Sequence, residues 1–525
     1  TLRQAVQGVH VMGGIGSGKT SGGGRALAGA YLRAGMGGLV LCAKPEEVEL
    51  WVRYCKENGR EDSMILFDAT QGCNFIAYEF ARKGGAEAAS SVTDTLMKIL
   101  EAADTAAGQK AGKAGDEFWT KTARQMLMYT VSALYAATGN VTAGDIVRFV
   151  TTMPTRNPTT DEEKAALDKN FAVGILHQMR THPARNIPDD LKEQTISYWR
   201  LQYMAYPEKT RGSILAHVTS SLNRFNTGML RKCFCADTTI VPEMTMAGAI
   251  IIMALPVLTH NEDGLIANQL MKFIWQRAVE SRNGLAPQFR ERPVFLYADE
   301  AQYFVNSYDD QFLSTCRGSK ACVVYLTQSL PTYYSMLGTE KKDAVDGFLG
   351  KFNTHIFHLN PDPRSNAYAS ALIGRGIQKR RSGNATKGSS KQHGRNYGGS
   401  DSATYTVGDS ENQGSGKNYA GLIFKTEEGE SSNEGVGTNR AMANQQGRSY
   451  GYNSGGGTNE SVTDGYSENM DNLVESNWFS TALKTGGPDN NFEVTALLFR
   501  AGAKFKRPMP GVSDNCLLAT FKQQR

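Results

Sequence analysis

The sequence predicts an α/β fold, a mostly parallel sheet with an all-α domain inserted into it, and three observations predict it. Strand-like and helix-like segments alternate through the first seventy residues. Helical periodicity dominates from about residue 76 to 240. Apolar, partly β-branched runs then resume, again separated by helical patterns. The sheet domain is therefore expected over residues 1–75 and 241–525, two segments of one domain, with the inserted all-α domain over 76–240.

The elements follow in order. "GVHVM" (8–12) reads as a strand and residues 18–34 as a helix. "GGLVLCA" (37–43) is a continuous apolar run, suited to a strand buried on both faces. Pro45 then opens a helix whose early acids, Glu46 and Glu47, suit its dipole. "SMILFD" (63–68) is the third strand, and strands joined by helices imply parallel pairing with right-handed crossovers. Within 76–240 the patterns "TDTLMKILEAAD", "DEFWTKTARQMLMYTVSALYAAT", "LKEQTISYWRLQYM" and "RGSILAHVTSSLNRF" are helical. Strand grammar returns in "AGAIIIMALP" (247–256), "RPVFLYADE" (292–300), "ACVVYLTQ" (321–328) and "THIFHLN" (354–360). "FEVTALLFRAGAKFKR" and "CLLATFKQ" read as closing strands.

Residues 376–470 shift to Gly, Ser, Asn, Thr and Gln. A solvated, flexible insertion accounts for that composition. The alternative is a polar hairpin with "SATYTV" and "AGLIFKT" as its strands. Arg375, Lys379, Arg380, Arg381, Lys387, Lys391 and Arg395 form the densest basic stretch, with no acid among them. A solvated loop explains it, and a contact with a phosphate backbone is the sharper reading.

Bulk properties exclude several classes. The net charge of +5 is too small to identify a nucleic-acid partner. The eight cysteines include no Cys-x-x-Cys pair and sit mostly in apolar runs, so reduced, buried thiols are expected. The eight histidines show no zinc-ligand spacing. No uninterrupted apolar run of about eighteen residues spans a bilayer, and no signal peptide is visible. The chain lacks an initiating Met and starts just before a strand, as expected of a fragment cut from a longer protein.

Chemistry concentrates in "HVMGGIGSGKTSGGG" (10–24), where Gly13 to Thr20 matches G-x-x-x-x-G-K-[ST] between a strand and a helix. The glycines let backbone N–H groups turn toward a phosphate, and the helix N-terminus adds positive potential. Gly13, Gly14, Gly16, Ser17, Gly18, Lys19, Thr20 and Ser21 are the expected nucleotide contacts. Lys19 is expected on the β- and γ-phosphates of ATP, and Thr20 on Mg2+. The three glycines behind Ser21 suggest a helix start pressed against another surface, a neighbouring subunit being one candidate.

A site of this kind also needs a carboxylate at the end of a buried strand. "VFLYADE" supplies Asp299 for the Mg2+ shell and Glu300 as general base for an attacking water. A solvated acidic turn is the bland reading of the pair. Gln328, ending the next strand, is expected to orient the lytic water or sense the γ-phosphate, and a simple strand cap is its alternative. Arg317 is either an exposed helix-terminal arginine or a group donated across a subunit boundary to the transition state. Together these features specify a P-loop NTPase sheet of the RecA-like kind.

Their order resembles a known family. The phosphate loop is followed by "FDATQGCNFIAYEF", then "DEFWTKTARQML", "ADEAQYF", "CRGSKACVVYLTQSL" and "FNTHIFHLNPDPRSNAYASALIG". This is similar to the coupling proteins of type IV secretion and conjugation, the TraG/TraD-like group among FtsK/HerA-type DNA-pumping ATPases. The likeness covers most of the chain outside the Gly/Ser-rich insertion. It implies a hexameric ring with ATP and Mg2+ between neighbours and Arg317 reaching across. It implies single- or double-stranded DNA as cargo, escorted by a relaxase, and components of a type IV secretion channel as partners. It implies a cytoplasmic location, at the inner membrane of a bacterium where an upstream segment carries membrane helices. One departure stands out: the family's second strand usually ends in an Asp-Pro-Lys-Gly type turn, here "CAKPEE", so the resemblance assigns no role to Lys44.

Two other functions fit the same motifs. A soluble FtsK/HerA-like DNA pump in DNA processing or phage defence keeps the motor and changes the client. A nucleotide-switched docking module, of a different class, would bind ATP and recruit substrates without translocation.

Overall fold

The apolar runs fold into one sheet because helices cover both of its faces. The computed structural model describes residues 2–106, 116–338, 342–389, 416–421, 429–430 and 458–523. Its first strands are β1 (Val9–Met12), β2 (Gly37–Leu41), β3 (Met64–Phe67), β4 (Ile250–Met253), β5 (Val294–Ala298), β6 (Ala321–Thr327) and β7 (Thr354–Phe357). Every residue of β1, β2, β4, β5, β6 and β7 is buried. That is why these strands read as unbroken apolar runs and not as alternating ones. There follow β8 (Arg375–Ser389), β9 (Gly416–Gly421), β10 (Gly429–Glu430), β11 (Thr458–Asn472), β12 (Glu493–Arg500) and β13 (Cys516–Lys522).

The chain divides into two compact units, Thr1–Ala369 with Ser476–Arg525, and Ser370–Glu475. The first holds a nine-stranded sheet of order β13-β12-β7-β1-β6-β5-β2-β4-β3. Pairing is parallel from β7 through β3, and β12 runs antiparallel to both β7 and β13. The strand that precedes the phosphate loop, β1, thus lies between β6 and β7, more than three hundred residues downstream. The core sets Trp51, on the Pro45–Glu57 helix, against Phe295 and Tyr297 of β5, at ring-centroid distances of 5.6 and 4.8 Å.

Among the described residues only helices lie between β3 and β4, from Phe75–Lys83 to Met244–Ala247. The quoted "FDATQGCN" stretch has a local structural task. Asp68 caps its own turn by accepting from the Thr70 N–H at 2.8 Å, and the Asn74 side chain caps the Phe75–Lys83 helix at Ala77 N, 3.1 Å. Gly72 N and Cys73 N donate to Thr239 and Cys233, tying the end of β3 to the close of the helical stretch. All eight cysteines are free thiols, seven of them buried and Cys235 half-buried.

One expectation needs correction. The helix expected over 18–34 begins as a π turn, Thr20–Gly24, with Gly24 N donating to Lys19 O at 2.8 Å, and becomes α-helical over Arg25–Arg33. The three glycines there press against side chains of the same chain. A Cβ at Gly23 would lie 2.8 Å from His358 Nε2, and one at Gly24 would lie 2.6 Å from Tyr297 Oη. Only a residue without a side chain lets the helix start this close to the sheet.

The second unit is a four-stranded antiparallel sheet, β10-β9-β8-β11. Its long ladder runs from Arg375↔Asn472 to Ser389↔Thr458. The hairpin alternative therefore describes this segment better than a structureless loop. The register sets Glu468 opposite Lys379 and Glu460 opposite Lys387, so two positions of the basic run face acidic ones. "SATYTV", most of "AGLIFKT", Lys391 and Arg395 lie outside the described residues.

Candidate active site

Parallel strands deliver their C-terminal ends to one edge, and that edge collects the predicted residues. The phosphate loop leaves β1 and is anchored by Gly13 N to Thr327 O, 3.2 Å, and Gly14 N to Leu359 O, 2.9 Å. Gly18 has φ +80, and a Cβ there would lie 2.7 Å from Val494 Cγ2, so both its backbone and its surroundings demand glycine. Lys19 is 8% exposed, Asp299 6% and Glu300 2%.

Thr20 and Asp299, 279 residues apart, meet: Thr20 Oγ1 donates to Asp299 Oδ2 at 2.5 Å. The second Asp299 oxygen accepts from Glu300 N at 2.9 Å. A hydroxyl and a carboxylate side by side at a phosphate loop are hard oxygen donors of the kind Mg2+ takes together with phosphates and water. The residues fit that ion. Among the described residues no cluster of three or more His, Cys, Asp or Glu offers another metal site.

Glu300 is the centre of the charge network. Its Oε1 accepts from Lys44 Nζ at 2.6 Å and Gln328 Nε2 at 3.0 Å, with Lys19 Nζ at 3.8 Å. Its Oε2 accepts from Gln302 Nε2 at 2.9 Å and Gln328 Nε2 at 3.2 Å. Burial alone would push this carboxyl upward. The Lys19 charge and the bonds from Lys44, Gln302 and Gln328 outweigh it and hold the group at about 2. The Glu300 backbone is left-handed, φ 51 and ψ 46, a conformation that costs a side-chain-bearing residue about 1–2 kcal/mol. The following segment is braced from below: Gln269 Nε2 donates to Tyr303 O at 2.9 Å, and buried Lys272 pairs with Asp309 and donates to Phe304 O. Such bracing is what keeps a strained residue in position.

Beside the pair, Glu47 is buried and its carboxyl is raised to about 8, first by burial and then by the Asp299 charge. It accepts from Ala43 N at 2.7 Å and so fixes the turn that carries Lys44. His358, the neighbour of Gly23, is held down to about 3, first by burial and then by Lys19, and stays neutral.

The structure thus brings Lys19, Thr20, Asp299, Glu300 and Gln328 together. It does not bring Arg317 to them. Arg317 precedes β6, whose seven residues separate it by roughly 20 Å from the Gln328 end. It is exposed, and its guanidinium makes no hydrogen bond or ion pair among the described residues. Three contributors were not singled out from sequence. Lys44 lies in "CAKPEE", which departs from the family turn, yet it makes the shortest contact to Glu300. Gln302, visible in "ADEAQ", has a polar side chain two residues beyond the acidic pair. Asn360, which ends "THIFHLN", donates to Gln328 O at 2.9 Å and links the ends of β6 and β7.

A cavity of about 660 Å3 opens over the phosphate loop and is also lined by Arg25, Arg53, Tyr54 and Phe492. A larger one, about 780 Å3, lies away from the loop between the Gly85–Ala106 and Ser307–Thr315 helices. Its mixed charges largely satisfy one another, as in the Arg277–Asp94 and Lys98–Glu101 pairs, so the chemistry favours the smaller cavity.

Comparison with known proteins agrees with this picture. A family model described as type IV secretory system conjugative DNA transfer matches residues 6–403. No curated protein sequence matches. Among solved structures, the unbound monoclinic form of the bacterial conjugative coupling protein TrwBdeltaN70 aligns with a TM-score of 0.52 at 12% identity, covering 99% of this chain and 86% of that one. At that identity the likeness concerns the fold. TrwB in complex with the ATP analogue ADPNP gives 0.47 at 14% identity, over 71% of this chain and 76% of that one.

Proposed function

Because the chain belongs to the conjugative DNA-transfer family of type IV secretory systems, we propose that it hydrolyses ATP and uses the energy to move DNA toward a secretion channel. The observation that carries the reading is the meeting of Thr20 with Asp299, and of Gln328 with Glu300, at the ends of β1, β5 and β6.

In this reading the N–H groups of Gly14 to Gly18 and the Lys19 ammonium hold the phosphates of ATP. Thr20 and Asp299 hold Mg2+, which when bound offsets phosphate charge. Glu300 and Gln328 orient the attacking water. A carboxylate held near 2 is a weak base at neutral pH. Phosphoryl transfer through a loose transition state asks more for orientation than for basicity, so a strongly acidic Glu300 suits the task.

The proposal extends to assembly and client. Six subunits form a ring, and Arg317 of one subunit reaches the phosphates bound by the next; its exposure supports a role outside its own chain. DNA, with an attached relaxase, is the cargo. Residues 76–240 act as an all-α domain that meets the DNA-processing complex. Among the described residues no helix is long and apolar enough to cross a membrane.

The test is ATP turnover with and without DNA. DNA is expected to raise the rate. Glu300→Gln is expected to lower turnover at least a hundredfold while sparing ATP binding, and Lys19→Ala to weaken both. Normal turnover in Glu300→Gln would remove the assignment of the water-orienting carboxylate.

A further inference from the structure

The turn that carries Glu300 is tied down at its far end by the inserted helices. Six residues, Ala301 to Asn306, join Glu300 to the Ser307–Thr315 helix. That helix meets part of its own need at the N-terminus. Asn306 Oδ1 accepts from Tyr308 N at 3.0 Å, and Asn306 O accepts from Asp309 N at 3.2 Å. The N–H of Ser307 is left over, and a helix start leaves such groups for an outside partner. Here the partner is Glu101, 206 residues upstream, whose Oε1 accepts from Ser307 N at 3.1 Å. Glu101 Oε2 accepts from Ser307 Oγ at 3.0 Å and from Lys98 Nζ at 2.6 Å, and Lys98 also donates to Ser307 Oγ. Both residues stand on the Gly85–Ala106 helix. Burial would raise the Glu101 carboxyl, but Lys98 and the Ser307 bonds hold it below its ordinary value. A negative charge therefore faces the positive end of the Ser307–Thr315 helix.

The tie reaches the site because the segment between them has little slack. Tyr303 O and Phe304 O are held by Gln269 and Lys272 of the Val257–Ser281 helix. Asp309, in the first turn of the next helix, accepts from Gln276 Nε2 at 2.8 Å and from Tyr325 Oη at 2.7 Å. Tyr325 belongs to β6, the strand that delivers Gln328. Gln302 is bound at both ends, donating to Glu300 Oε2 and accepting from Thr327 Oγ1 at 3.0 Å. The Gly85–Ala106 helix is itself fastened to the Val257–Ser281 helix, where Arg277 donates to Ser91 Oγ at 3.0 Å and to Asp94 Oδ2 at 3.3 Å.

We propose that Glu101 is a positioning residue for hydrolysis: by capping the Ser307–Thr315 helix from the inserted stretch, it keeps Glu300 and Gln302 in the arrangement that meets Gln328. The inference rests on the reading of Glu300 as the carboxylate that orients water. It gives the inserted stretch a part in the chemistry without any contact to the nucleotide. Glu300 sits in left-handed backbone, and a strained residue holds its place only while its surroundings over-determine it. Misplacing an orienting group by about 1 Å costs up to about a hundredfold in rate. Losing the Glu101 cap leaves the ties at Tyr303 and Phe304 in place, so a smaller loss is expected.

The experiment measures ATP turnover of the whole chain with Mg2+, ATP affinity by titration, and melting temperature. Glu101→Ala is expected to lower kcat about tenfold and to leave KM and ATP affinity within about twofold of the parent. Glu101→Gln keeps an oxygen for Ser307 N and is expected to restore kcat to within about threefold. Ser307→Pro removes the N–H itself. Proline suits the first position of a helix, and Asn306 before it is already extended, φ −139 and ψ −179, so the variant is expected to fold and to repeat the kcat loss of Glu101→Ala. Asp94→Ala is the control: it frees the same inserted helix from Arg277 and Arg124 without touching the cap. It is expected to lower the melting temperature and leave kcat unchanged. Unchanged kcat in Glu101→Ala and Ser307→Pro, a loss carried by KM alone, or an equal kcat loss in Asp94→Ala would overturn the role of Glu101. A parent protein that binds ATP without turning it over would overturn the hydrolytic reading itself.

Discussion

Glu300 accepts more hydrogen bonds than a residue waiting for water should. A carboxylate offers about four acceptor positions, and Lys44, Gln302 and two contacts from Gln328 take them. Water must therefore displace a donor. Lys44, with a side chain 40% exposed on a flexible stem, is the one most readily released. Lys44→Met is accordingly expected to raise basal ATP turnover about threefold with little change in KM. A fall to the level of Glu300→Gln would show that Lys44 itself takes part in the chemistry. The acidic pair was legible because the phosphate loop calls for a carboxylate at the end of a buried strand and "VFLYADE" is such a strand; by itself it reads equally well as a solvated acidic turn. Lys44 was not, since its partner stands 256 positions away and nothing in "CAKPEE" points there.

At the scale of elements, packing decided what periodicity left open. The pattern over residues 18–34 reads as a plain helix, and its π turn became visible only with Tyr297 and His358 beneath the glycines. The helical segment shows the opposite case, where sequence and structure agree on the elements and the contacts between them carry the pH dependence. His217, on the Glu208–Asn223 helix, bonds Asp104 of the Gly85–Ala106 helix at 3.0 Å. That hydrogen bond first, and then the Asp104 charge, outweigh burial and raise the imidazole above its usual value. A raised folded-state value means that the stabilisation is fully present below about pH 6.5 and is lost as pH rises through the folded-state value. Both side chains are about one-third exposed, so after solvent screening the effect should be about 0.5 kcal/mol. The difference in denaturation midpoint between parent and His217→Ala should shrink from pH 5.5 to pH 8.5. A difference independent of pH would show that the contact is only packing.

Across the whole molecule, strand order was the part the sequence could least reveal. Parallel pairing followed from strands alternating with helices, but the entry of β6 and β7 on either side of β1 is set by long-range packing. The division of the chain carries its own prediction. Every residue of the nucleotide site belongs to the first unit, and the second enters and leaves at paired positions, Arg375↔Asn472. Replacing residues 370–475 with a short Gly/Ser linker should leave ATP affinity within about twofold of the parent, measured by titration; a larger loss would tie the second unit to the site. A last consequence belongs to β5, hydrogen-bonded to β2 on one side and β6 on the other. Its five residues work as a ruler whose final mark falls just before the two acids. Remove one codon from that strand and Glu300 slides to the station facing Thr20, while Asp299 turns inward where Ala298 had been. Natural variants of this protein should tolerate gained or lost codons in the loops around the ruler, and none within it.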